Sequence, residues 1–125
     1  MSYVFDDETG SSVWVAGFTL GRVFVAMADC LASSAGMATG LEKMAEDWYR
    51  ISPATFSAFV DNVTKRLWHN STHRELERGF IAISMVLLER LGMTAEAEAH
   101  AAHLDLESPL SLEALREGMP PSPDH

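Results

Sequence analysis

A chain of 125 residues fits one domain with one core, because halves of that length would each bury too little surface to fold alone. Its 47% hydrophobic and 22% charged residues can build that core without a structural metal, and a single cysteine excludes an internal disulfide. Nine Lys plus Arg against eighteen Asp plus Glu give a net charge of −9, which disfavours phosphate backbones and excludes nucleic acid from the expected partners.

The charge is unevenly spread. Eight acids face three bases over residues 1–64, three face five over 65–91, and seven face one over 92–125. The central basic stretch reads as a solvated helix surface. No apolar run reaches the roughly 18 to 20 residues of a bilayer span, and the nearest, 79–88, is closed by Glu89 and Arg90. The first ten residues carry acids where a secretory leader has positive charge, so the expectation is a cytoplasmic protein without a membrane segment. Cys30 falls within an apolar helical pattern and is expected to be a small core residue.

In chain order, residues 2–5 and 12–15 are rich in Tyr, Val, Phe and Trp and flank a turn of acids ending in Gly10, the pattern of a β-hairpin. From 18 to 35 the spacing becomes helical. Leu20, Val23, Phe24, Met27 and Leu31 form a bulky stripe, Gly21, Ala28, Ala32 and Ala35 form a small-residue side, and Gly36 is suited to end the helix. Residues 37–45 are assigned a short helix on Leu41 and Met44, followed near 47–52 by a third strand in which Trp48 and Arg50 alternate with Tyr49 and Ile51. Ser52-Pro53 opens a helix carrying Phe56, Phe59, Val60, Val63 and Leu67, with a break near 68–70. Thr72 with Glu75 three residues on has capping-box spacing, opening a central helix whose apolar surface is too wide for one neighbour to cover; Gly92 stops it. An alanine- and glutamate-rich helix follows over 95–103, then a short one over 112–117 capped by Ser111. The prolines after Gly118 end regular structure. The expected fold is α+β and predominantly helical: an N-terminal β-hairpin with a third strand on a three- to four-helix bundle, one domain over 1–118 and a mobile tail over 119–125.

The densest polar constellation is His69, His73 and Glu75. Imidazoles beside a carboxylate suit proton transfer or zinc, but a helix break between the histidines leaves their geometry open, and capping explains the same residues. Glu96, His100 and His103 share a helical face at spacings of four and three, a weak metal triad on an exposed helix. Acidic neighbours such as Asp6 and Asp7 read as solvated turn residues. The chain lacks HExxH, CxxC, GxxxxGK[ST] and GxSxG patterns, which weighs against the standard enzyme routes and implies no cofactor. Trp48, Tyr49 and Trp68 border charged segments and are the candidate binding residues.

The segments VFDDETGSSVW, FVAMADCLASSAGMATGLEKMAEDWYRISPATFSAFVD and RELERGFIAISMVLLERLG together resemble an uncharacterised family of small acidic actinomycete proteins, over residues 2–92. The resemblance implies an intracellular helical protein and carries no active-site assignment. The leading expectation is a noncatalytic protein-interaction module, a homodimer or an inhibitor- or immunity-like partner of a basic surface. The alternatives are a binder of small apolar ligands in a cleft between hairpin and helices, lined by Trp48 or Trp68, and a small hydrolase at His69, His73 and Glu75.

Overall fold

The computed structural model describes residues 2–67, 71–104 and 112–121, with the side chains of 67, 71, 73–76 and 101–104 outside that description. Among the described residues nine elements follow in order: β1 (Ser2–Asp6), β2 (Ser12–Gly17), α1 (Phe18–Ala35), β3 (Leu41–Ala45), β4 (Trp48–Ile51), α2 (Pro53–Leu67), α3 (Ser71–Arg90), α4 (Thr94–Leu104) and α5 (Leu112–Gly118). The fold is α+β and predominantly helical, an N-terminal sheet packed against a multi-helix region.

The hairpin of β1 and β2 turns on Asp7. Its Oδ1 accepts hydrogen bonds from Thr9 Oγ1 at 2.6 Å and from the Thr9 and Ser11 amides at 2.9 Å, while Gly10 adopts φ +91°. The Thr9 hydroxyl is the main reason the Asp7 carboxyl sits below its ordinary range. The sheet order is β2-β1-β4-β3, with β1 and β4 parallel and the other pairs antiparallel. A strand at β4 agrees with the alternation of Trp48 and Arg50 with Tyr49 and Ile51.

No helix forms over 37–45, where 41–45 are instead the edge strand β3. Gly36 and Gly40 take left-handed φ of +69° and +83°, which leaves too few residues between them for a stable helical turn. Pairing of Leu41, Glu42 and Lys43 with Ile51, Arg50 and Tyr49 supplies a ladder instead.

Helix α1 has the expected limits. Its end is a Schellman turn: the Met37 amide donates to Ala32 O at 3.2 Å and the Gly36 amide to Ser33 O at 3.4 Å. The same device ends α3, where the Met93 amide reaches Leu88 O at 2.9 Å and the Gly92 amide reaches Glu89 O at 3.1 Å. Thr72 lies inside α3, one residue after its start at Ser71, rather than before it.

Aromatic rings join the layers. Phe5 stacks on Trp14 at 5.0 Å, Trp14 meets Phe24 of α1 edge-on at 5.4 Å, Phe24 stacks on Phe80 of α3 at 4.9 Å, and Phe80 meets Phe59 of α2 at 6.2 Å. The wide apolar surface of α3 is covered within the chain: Phe80, Ile81, Met85, Val86, Leu87 and Leu88 are buried where α3 meets α2, α4, α5 and β2. The body extends past Gly118, since Met119 is buried and Pro120 O accepts from the Val15 amide at 2.7 Å, along the outer edge of β2.

Candidate functional site

Neighbouring residues on a strand point to opposite faces, so Trp48 and Tyr49 part company. Tyr49 is buried, stacked on Tyr3 at 6.0 Å and Phe5 at 5.9 Å, and burial pushes its phenol above the ordinary tyrosine range. Trp48 lies half-buried on the other face, its indole N–H donating to Asp6 Oδ2 at 2.7 Å. That bond explains why Asp6 is buried, with 7% of its surface exposed, in what the sequence suggested was a solvated turn. It also fixes the Trp48 ring against the sheet. Trp68 and His69 lie outside the described residues.

His73 and Glu75 fall on the first turns of α3, but their side chains, and with them the expected hydrolytic grouping, lie outside the described residues. On α4, His100 is buried and Glu96 is exposed, and the His103 side chain is undescribed. No three His, Cys, Asp or Glu side chains converge to hold a metal among the described residues.

Two surface features do take shape. The first is the outer face of α1. The helix packs its small side on the sheet, burying Gly21, Phe24, Val25, Ala28 and Ala32. A methyl group at Gly21 would overlap Tyr3 Cβ, so only glycine permits this approach. Of the bulky stripe, Phe24 joins the core while the rest turns outward: Leu20 is 47% exposed and Val23 49%, with Met27 and Leu31 half-buried; Phe18 lies on another side of the helix, edge-on to Tyr3 at 5.4 Å. Cys30 lies on this exposed side as well, not in the core. The charged residues of α1, Arg22 and Asp29, project well away from the stripe. Helix α1, rather than the 79–88 segment, has the length and composition of a bilayer span, at 18 residues. Only 28% of that helix is buried inside the fold, on the side that packs against the sheet.

The sheet edges are less available. The β2 edge is occupied by Pro120 and by Arg90, whose Nη1 donates to Val13 O at 2.8 Å. The β3 edge is open but carries a bulge between Lys43 and Ala45 and the exposed charges Glu42, Lys43 and Glu46, devices that discourage strand addition.

The second feature is an open cleft of about 400 Å³ between α2 and α4, with Ser57 and Asp61 on one wall and Glu96 and His100 on the other. Among the described residues no Phe, Tyr or Trp lines it, and it is not the cleft beside the hairpin that the tryptophans suggested.

Residues 1–120 match a family of unknown function, DUF6086, a span that takes in the sheet, the exposed α1 face and both walls of the cleft. The chain belongs to DUF6086. The DUF6086 match also runs well past residue 92, where the sequence resemblance stopped, and so includes α4, α5 and the docked residues Met119 and Pro120. No curated protein and no solved structure matches the chain. DUF6086 membership brings no reaction, so the functional argument rests on the surfaces themselves.

Proposed function

We propose that the chain is a noncatalytic protein-interaction module that docks through the outer face of α1. The observation that carries this reading is the exposed pair Leu20 and Val23, continued by the half-buried Met27 and Leu31, on a helix whose other side is committed to the core. Covering the exposed half of Leu20 and of Val23 is worth about 1 kcal/mol each, enough to favour association when several such residues act together. A net charge of −9 speeds encounter with a basic partner and slows encounter with a second copy at low salt. The proposal retains both a homodimer and an inhibitor- or immunity-like complex. It places the protein in the cytosol, where an exposed Cys30 stays a thiol, and it takes the family to be the small acidic actinomycete proteins of the sequence resemblance.

Light scattering and co-purification at low and physiological salt test this, using the wild-type chain and the double variant Leu20→Glu, Val23→Glu. The expected result is a dimer or stable complex for the wild type and a folded monomer for the variant, since both positions are exposed and carry little folding energy. A wild-type chain that is strictly monomeric and partnerless under both conditions sinks the proposal.

A further inference from the structure

We infer that the cleft between α2 and α4 binds a small organic cation, a protonated amine on a short apolar stem. The inference is independent of the α1 reading, because it uses different elements and a different class of ligand.

The cleft exists because small side chains face one another. Ala54, Ser57 and Ala58 of α2 lie opposite Ala99 of α4, and none is long enough to fill the space between the helices. The resulting volume of about 400 Å³ is in the range that takes small ligands. With Met93 at the connection into α4, these residues make an apolar lining suited to an aliphatic stem. Ser57, 9% exposed, and His100, 8% exposed, place polar groups within that lining.

The charged residues decide the ligand's sign. Asp61 stands on the α2 wall and Glu96 on the α4 wall, and among the described residues neither Lys nor Arg lines the cleft. Two carboxylates on opposed walls attract a cation and repel an anion. Lys65 holds Asp61 from outside the lining, at 2.8 Å between Nζ and Oδ2, but its side chain is 73% exposed. Such an i,i+4 surface pair is worth only about 0.3–0.5 kcal/mol, so a ligand ammonium displaces it at little cost. The charge of −9 on the whole chain raises the local concentration of cations around the cleft mouth.

The test is a titration of the isotopically labelled full chain with hexylammonium chloride, followed by amide NMR, beside the neutral isostere hexan-1-ol. Expected are saturable shifts centred on Ser57, Ala58, Met93 and Ala99, with the alcohol bound about tenfold more weakly and the amine weakened by added salt. Glu96→Gln and Asp61→Asn should each lower the amine affinity about three- to tenfold while leaving the alcohol response unchanged. Ala58→Leu, at an exposed rim position, should block both. Shifts that do not saturate, equal responses to amine and alcohol, binding indifferent to both charge variants, or shifts centred elsewhere overturn the inference.

Discussion

Trp48 and Tyr49 show how much of a candidate site a sequence reveals at the scale of single residues. Both are large aromatics beside charged positions, and both were reasonable binding residues on that ground. One strand step separates a ring stacked among Tyr3 and Phe5 from a ring held against the outer face by Asp6. The alternation that identifies β4 is local and therefore legible. Which face is covered depends on where α1 lands, and nothing within residues 48–51 encodes that. The buried phenol has a measurable consequence. Burial is the leading cause of the raised Tyr49 ionisation, so the folded state disfavours the phenolate more than the unfolded chain does. The associated stability is complete below the unfolded tyrosine value of about 10 and is lost as pH rises through the folded value. Alkaline denaturation should therefore be less steep in Tyr49→Phe than in the wild type, and the phenolate absorbance missing from the variant should be the one that titrates late. A Tyr49 that ionises at the ordinary value would show that water reaches the ring despite its stacking.

At the scale of elements, α1 is legible in its limits and in its two burial-capable sides, but not in which of them meets the sheet. Helical spacing marks the start after Gly17, and a left-handed glycine marks the end, because both are properties of neighbouring residues. The choice of buried side is not. Hydrophobicity favours burying Leu20 and Val23, but distance favours Gly21, Ala28 and Ala32, which let the helix axis come close to β1. Close packing of the sheet by small residues prevails, with Phe24 and Val25 supplying the apolar area that the alanines lack. This reverses the usual ranking of substitutions. Gly21→Ala adds one methyl against Tyr3 and should cost roughly 1–3 kcal/mol, more than the gain of up to about 1 kcal/mol in helix propensity returns. Leu20→Ala removes three carbons from a half-exposed position and should cost less than about 1 kcal/mol in the isolated chain. Denaturant midpoints of the two variants measure the difference directly, and a Gly21→Ala protein as stable as the wild type would mean that β1 yields easily to the helix. The misassigned segment 37–45 has the same origin: Leu41 and Met44 fit a helical stripe, and only the partner strand β4, across a turn, makes the extended form preferable.

The whole molecule is closed by contacts that no local pattern announces. Arg90, the last residue of α3, reaches back 77 positions to Val13 O and forward 29 to Met119 O through Nη1, while Nη2 donates to Arg116 O at 3.1 Å. Arg116 in turn donates to both carboxylate oxygens of Glu89, at 3.0 and 2.7 Å. Burial lowers the Arg90 guanidinium from its usual range, yet an arginine stays charged at any pH the fold survives, so the three carbonyls always face a cation. One side chain thus ties the sheet edge, the central helix and the segment around α5. The same contact shields β2 from strand addition, because it helps to seat Pro120 beside the Val15 amide. Arg90→Met keeps most of the side-chain volume and removes every donor, leaving partly buried carbonyls to find water or separate. The expected loss is about 2–4 kcal/mol of stability, with faster hydrogen exchange at the Val15 amide and protease cutting beyond α5. A shorter chain ending at Gly118 should reproduce the faster exchange at Val15 with Arg90 intact, since the acceptor Pro120 is gone. If Val15 remains fully protected in Arg90→Met, the burial of Met119 alone is sufficient to hold the segment, and the guanidinium contributes only to the end of α3.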